Sequence, residues 1–343
     1  MDFKNEVVDL VSSQVDLPKE KIAALIERPK NAKMGDYAFP AFILAKTMHK
    51  NPAIIAKDIA ENLNSDNFAN IQAVGPYVNF AIDHEKLIAS TLKDVLAEKE
   101  HYGDQKLGEG NVPIDMSSPN IAKPMSMGHL RSTVIGNSIA KTMKKVGYTP
   151  IKINYLGDYG TQFGKLIAAY KHWGNEEDVK KDPIMSLFHY YVKFHKEAEN
   201  DPELDNEGRE WFKKLEDGDP EAVELWKWFR EVSLKDFKRI YKELGVTFDS
   251  YNGEAFFNDK MQPVIDELKD KGLLHESRGA QVVDMGEDEN PAIIVKSDGT
   301  SIYLTRDLAA AEWRMKKYNF VKMLYVVGNE QAQHFVELKT VLK

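Results

Sequence analysis

The chain has 343 residues, enough for two or three domains, and its 43% apolar and 29% charged residues are those of a folded protein, not a disordered one. It contains no cysteine, which excludes disulfides, thiolate zinc sites and cysteine nucleophiles together. A net charge of -8 argues against broad nonspecific nucleic-acid binding without excluding a local basic groove, and the absence of a signal-like N-terminus or a membrane-length apolar run makes the cytoplasm, with no membrane partner, the expected location.

Residues 1–105 read as a small α+β domain. Val7, Val8, Val11 and Val15 suggest a first helix, Leu17-Pro18 breaks it, and Lys19 to Leu25 resumes a helical pattern. A turn at Gly35-Asp36-Tyr37 precedes helical stretches at Pro40 to Met48 and Ala53 to Leu63. Ile71 to Val74 and Tyr77 to Ile82 are strand-like, with Gly75-Pro76 as the turn between them, and the glycine-rich segment His101 to Gly110 reads as a linker.

Residues 106–174 form the centre of the reading. A short apolar run, Asn111 to Met116, enters a polar loop and turns at Gly128 into a helix. Its apolar positions Leu130, Val134, Ile135, Ile139, Met143 and Val146 repeat at helical spacing and stop at Gly147. A second strand follows at Ile151 to Tyr155. This is a βαβ unit, whose loop lies at the carboxyl edge of a parallel sheet, where such folds bind ligands. Lys123, Ser126, Gly128 and His129 stand where the helix begins, and free N-H groups with a partial positive charge suit an anion such as a triphosphate. Taken alone, Gly128 and His129 read first as a turn residue and a surface helix cap.

Residues 175–300 read as an insertion, helical to about 245 with Trp211, Trp226, Trp228 and Phe229 as core, then short strands at Ala280 to Met285 and Ala292 to Lys296 closed by a turn at Ser297-Asp298-Gly299. His189 and His195 lie six apart, so no dedicated metal site is expected. The second half of a nucleotide-binding domain is expected at 301–343: a helix over Tyr303 to Tyr318, a buried parallel strand Val321 to Val327, and a last helix from near Gln331 that reaches Lys343 uncapped, as if the chain were cut inside a domain.

Ser117-Ser118-Pro119-Asn120-Ile121-Ala122-Lys123-Pro124, followed by Gly128-His129-Leu130-Arg131-Ser132-Thr133, closely resembles the signature loop of class I arginyl-tRNA synthetases. Gly157-Asp158-Tyr159-Gly160-Thr161-Gln162-Phe163-Gly164 and Tyr303-Leu304-Thr305-Arg306-Asp307 are similar to two later blocks of that family, in the expected order. The resemblance implies a class I Rossmann-like nucleotide-binding fold split by the insertion, with an N-terminal domain that packs on the tRNA elbow. It also implies an N-terminal fragment lacking the C-terminal anticodon-binding domain.

The same resemblance assigns roles. Asp307, with Tyr303 on the same helical face, is the first choice for the substrate guanidinium, which a carboxylate accepts bidentately. Asp115 stands where the family has an acid, and Asn120 and Gln331 match positions holding the amino and carboxylate ends of the amino acid. Lys123, Gly128, His129 and, from the opposite lip, His334 would meet ATP, whose Mg2+ arrives with the nucleotide. In the N-terminal domain Tyr77 would stack on an unpaired tRNA base and Asn79 bond its edge; an ordinary pair on an exposed strand face is the open alternative.

Two departures stand out. The first histidine of the usual signature is Ser126, which can donate but not carry charge, and the downstream lysine loop that clamps the triphosphate is absent. The expected function is ATP-dependent activation of L-arginine and its transfer to tRNA(Arg), by a monomer with weak or no activity of its own. A noncatalytic tRNA-binding module and a nucleotidyltransferase acting on a small substrate remain the competitors. No Walker loop or G-x-G-x-x-G occurs; Gly160 to Lys165 is the nearest approach.

Overall fold

In the computed structural model, residues 2–286, 289–297, 299 and 302–343 are described. The expected turn at Ser297-Asp298-Gly299 and the boundary near Ser301 fall partly or wholly outside them. The chain divides into two compact units, Met1–Gly103 and Asp104–Lys343.

The first unit contains α1 (Phe3–Ser12), α2 (Lys19–Leu25), β1 (Tyr37–Pro40), α3 (Ala45–Met48), α4 (Pro52–Glu61), β2 (Phe68–Val74), β3 (Tyr77–Ile82) and α5 (His84–Glu98). Its three strands form an antiparallel sheet in the order β1-β3-β2, with β2 and β3 joined through Gly75-Pro76. Val7, Val8, Val11, Ile22, Ile55, Ile59, Val78 and Phe80 bury one face of sheet and helices as a common core. The stretch expected to be one helix from Pro40 to Met48 is instead the end of β1, a 3-10 turn over Ala41–Leu44 and a single helical turn that ends at left-handed His49.

The second unit runs β4 (Asn111–Ser117), α6 (Met127–Lys145), β5 (Thr149–Asn154), α7 (Thr161–Trp173), α8 (Glu176–Lys181), α9 (Pro183–Ala198), α10 (Pro202–Asp217), α11 (Pro220–Glu243), α12 (Met261–Asp270), β6 (Leu274–Ser277), β7 (Ala280–Val283), β8 (Ala292–Val295), α13 (Tyr303–Tyr318), β9 (Leu324–Tyr325) and α14 (Ala332–Val341). A parallel sheet of order β5-β4-β9 has β4 at its centre, buried along nearly its whole length. The helix α6 lies so close on β4 that a Cβ at Gly136 would strike the Met116 side chain. The expected strand from Val321 to Val327 pairs as a ladder only at Leu324 and Tyr325, because the backbone bends away from β4 after Phe320 and Val321 and Val327 face solvent.

Three helices of the insertion start the same way. Asp182-Pro183, Asp201-Pro202 and Asp219-Pro220 each place an aspartate cap before a proline at the first helical position, where its missing N-H costs nothing. These helices share one core with the parallel sheet: Tyr190, Phe194, Trp211, Phe229, Phe237 and Tyr241 pack with Val112, Ile114 and Met116, and Trp226 and Trp228 lie half-buried against it. A second cluster joins α12, β7, β8, α13 and α14 through Val264, Leu268, Ile294, Leu304, Leu308 and Leu338. Among the described residues no helix is long and apolar enough to cross a membrane.

Candidate active site

The loop after β4 is held from two sides. Its Asn120 forms a parallel bridge with Gly157, where Ile121 N-H donates to the Gly157 carbonyl at 3.2 Å and Gly157 N-H to Pro119 at 3.1 Å. A side chain at Gly157 would collide with the Asn120 amide, so this glycine permits the approach. From the other side α11 reaches in. Ser233 Oγ accepts from Ala122 N-H at 3.0 Å, where Ala122 holds a left-handed φ of 61°, and the Tyr241 hydroxyl lies 2.9 Å from Ser117 Oγ and accepts from Asn154 Nδ2 at 2.9 Å.

Ser126 caps α6, and His129 completes a capping box. The backbone N-H of Ser126 can only donate, and it meets His129 Nδ1 at 3.2 Å, so Nδ1 is the acceptor and the neutral ring carries its proton on Nε2. Burial holds the His129 pKa below its usual value, which keeps the ring neutral at pH 7. At Gly128 an added Cβ would meet only Ser126 Oγ, at an ordinary 3.5 Å, so the chain itself leaves that surface open. Lys123 is not directed at this loop: its Nζ lies 4.6 Å from the Tyr191 ring centroid, over α9.

A set of acids gathers beside the sheet edge. Asp307 on α13 accepts from the Tyr155 hydroxyl at 2.9 Å through one oxygen, and its other oxygen is 2.7 Å from His334 Nε2. Burial pushes the Tyr155 phenol well up, so it stays a donor. The exposed Tyr303 ring packs 4.9 Å from the His334 ring, and Gln331 stands exposed at the start of α14. His334 is thus buried against Asp307 and does not present Nε2 from an opposite lip; its buried Nδ1 has no partner among the described residues. Asp115, also buried, accepts from Arg314 Nη2 at 2.9 Å, with the guanidinium between the Tyr155 and Tyr325 rings.

One acid in this cluster was not singled out by the sequence. Burial, with Asp307 and Asp158 nearby and Arg306 opposing them, pushes Glu254 up to about 7. Its position follows from Asp158, which is 1% exposed, accepts from Arg230 Nε at 2.7 Å and from Ala255 N-H at 2.9 Å, and packs on Gly253. The Gly157-Asp158 block therefore fixes the turn that carries Glu254; the block was visible in the sequence, its partner turn was not.

In the first unit Tyr77 is half-buried, with Phe42 edge-on at 5.8 Å, while Asn79 is only 3% exposed and its Oδ1 has no partner. Asn79 is therefore not on an exposed strand face.

Two family profiles match the chain: "tRNA synthetases class I (R), catalytic domain" over residues 91–343, and "Arginyl tRNA synthetase N terminal domain" over residues 2–82. The chain belongs to the arginyl-tRNA synthetase family. Its α/β fold is the Rossmann-like fold of the class I synthetases, as the resemblance of the signature loop implies. An arginine–tRNA ligase of Lactobacillus acidophilus is 99% identical over 343 residues, which are 100% of this chain and 61% of that protein, and one of Lactobacillus johnsonii is 79% identical, with 100% and 62% covered. Among solved structures, the arginyl-tRNA synthetase of Plasmodium falciparum aligns with a TM-score of 0.63 at 25% identity, over 99% of this chain and 62% of that one. The arginyl-tRNA synthetase of Thermus thermophilus shares the fold at a TM-score of 0.60 and 23% identity, over 92% and 53%. The chain spans about 61% of the length of the curated relatives it matches.

Proposed function

We propose that this chain carries the arginine-selecting and ATP-binding part of an arginine–tRNA ligase. The observation that supports it best is Asp307, half-buried and held by Tyr155 and His334, with Glu254 beside it. An ionised carboxylate has about four acceptor sites, so those two bonds leave lone pairs free for a guanidinium fork. In this reading Asp307 and Glu254 accept the guanidinium, Tyr303 closes over it, and Asn120 and Gln331 hold the amino and carboxylate ends. Asp115, engaged by Arg314, shapes the pocket from behind.

The reaction is attack of an arginine carboxylate oxygen on the α-phosphorus of ATP. The bond to the bridging oxygen breaks, and pyrophosphate leaves with its Mg2+. His129 Nε2-H and the backbone at Gly128 donate to the phosphates, and Ser126 sets the histidine tautomer where the family usually has a second imidazole. Lys123 reaches the phosphates by leaving the Tyr191 ring. Such transfers are catalysed mainly by positioning and by countering charge on oxygen. Transfer of arginine to the terminal ribose of tRNA(Arg), with Tyr77 meeting an unpaired base of the elbow, belongs to the same proposal, as does action as a monomer in the cytoplasm; Asn79, buried in β3, is left out of that contact.

The test is thermal unfolding with non-hydrolysable aminoacyl-adenylate analogues, which needs no turnover. The arginyl analogue raises Tm in a concentration-dependent way, while the lysyl and citrullyl analogues leave it unchanged. Equal stabilisation by all three would contradict the assignment.

A further inference from the structure

Lys123 stands in the loop after β4 with its backbone held on both sides. Ala122 before it has a left-handed φ of 61°, a conformation that few L residues adopt, and donates its N-H to Ser233 Oγ on α11 at 3.0 Å. Pro124 after it narrows the backbone conformations open to Lys123. What stays movable is the side chain, whose flexible stem swings an ammonium without moving the loop. Among the described residues that ammonium meets no carboxylate; the side chain lies half-buried, with Nζ 4.6 Å from the Tyr191 ring centroid.

The ring it meets is a fixed surface. Tyr191, on α9, packs against the core that the insertion helices share with the parallel sheet, and the His195 ring one turn further on meets it edge-on with centroids 4.6 Å apart. Burial, with Lys165 nearby, holds the His195 pKa below its usual value, so the imidazole is neutral at pH 7 and does not repel the ammonium. Lys165 is itself paired with Asp205 at 2.6 Å. A lysine over a tyrosine at a partly exposed site gains only a modest attraction, on the order of a two- to fivefold preference, whereas an ammonium on phosphate oxygens makes stronger, charge-assisted hydrogen bonds. A polyphosphate therefore takes the lysine from the ring, and the ring lowers the polyphosphate's affinity by its own share.

We infer that Tyr191 is a positioning residue that acts through Lys123: its ring stores the lysine against α9 while the site is empty and gives it up to bound ATP, so that this helix of the insertion sets the affinity for ATP. The inference deepens the ligase reading, on which it rests for ATP as the ligand. The contact is read directly by dimethylating the lysines of the full chain with carbon-13, which keeps their charge, and identifying the Lys123 signal by its loss in Lys123→Arg. Over the ring face that signal stands upfield of a solvated lysine. Tyr191→Leu returns it to the solvated position, and Tyr191→Phe keeps it upfield. Saturation with a non-hydrolysable ATP analogue, or with inorganic tripolyphosphate, which needs no adenosine pocket, moves it downfield in the unmodified chain.

Calorimetry on unlabelled chains gives the second readout. Tyr191→Leu binds either ligand about two- to fivefold tighter, Tyr191→Phe binds as the unmodified chain does, and Lys123→Met binds more weakly and gains nothing from added Tyr191→Leu. Damage to the fold weakens binding, so a gain in affinity is not what a merely structural ring would give. A Lys123 signal at the solvated position in the empty chain, one that stays upfield when polyphosphate is bound, or a Tyr191→Leu chain that binds no tighter each overturns the inference. Tripolyphosphate drawing Lys123 off the ring in a chain that ignores the ATP analogue would sink the ATP part of the ligase reading and leave the role of Tyr191 standing. Failure of both ligands to bind overturns the two together.

Discussion

At the scale of single residues, Glu254 gives the proposed arginine pocket a pH dependence. Its carboxyl is pushed up to about 7, so below that pH it is largely neutral and offers a guanidinium nothing to balance. A bound guanidinium favours the carboxylate and lowers that pKa. Arginine affinity therefore rises as pH increases through about 7, and binding below it releases a proton; calorimetry in buffers of different ionisation enthalpy reads both. In Glu254→Gln the affinity is lower and flat over the same range. An unchanged pH profile in that variant would remove Glu254 from the pocket. The residue went unnoticed in the sequence because it sits in an insertion with no motif of its own, and only the packing of Gly253 on Asp158 brings it to the site.

The pair of Asp115 and Arg314 makes the same point across 199 residues. The sequence offers Asp115 as a substrate acid from its place before the signature loop, and nothing local says that an arginine on α13 reaches it first. Both side chains are buried, at 3% and 2% exposed, so removing one partner leaves a charge without compensation. Arg314→Met destabilises the second unit by about 3–5 kcal/mol in urea unfolding, and adding Asp115→Asn restores much of the loss. A near-neutral single variant would mean that the pair is not a structural tie.

Among elements, those that carry a strong local rule were legible. The β4-α6-β5 unit was readable from its two strand runs and Gly147, and the β2-β3 hairpin from Gly75-Pro76, but the apolar positions read along α6 are not its buried face: Val134 and Ile135 are exposed, and Thr133, Gly136, Asn137 and Ala140 are buried instead. The element α5 was missed although Leu87, Ile88, Leu92, Val95 and Leu96 repeat at helical spacing; in the structure none of its residues is buried, and that apolar stripe faces outward. The strand β9 fell short because β-propensity says what a residue can pair with, not where the backbone bends. The role of α11 was also hidden, since Ser233 and Tyr241 look like ordinary polar residues of a long helix until they meet the signature loop. Tyr241→Phe strips partners from Ser117 and Asn154, whose amide oxygen already lacks one. It costs about 1–3 kcal/mol, seen as faster amide exchange in β4 and the following loop, with α12 unaffected. Uniform acceleration across the unit would argue against a local hinge of this kind.

For the whole molecule, the first unit has its own core, and the second carries every residue proposed to touch arginine or ATP, on the parallel sheet and insertion helices and on the separate cluster of α13 and α14. Family membership fixes the fold. In the proposed reading the charge at Asp307 selects arginine, and that claim is best tested by titrating L-arginine and citrulline, its neutral isostere, into the unmodified chain and into Asp307→Asn. The account predicts that arginine binds, that citrulline does not compete, and that Asp307→Asn weakens arginine at least about thirtyfold, since truncating one partner of a buried charge pair costs 2 kcal/mol or more. Citrulline bound as tightly as arginine, or arginine bound equally by Asp307→Asn, would contradict it.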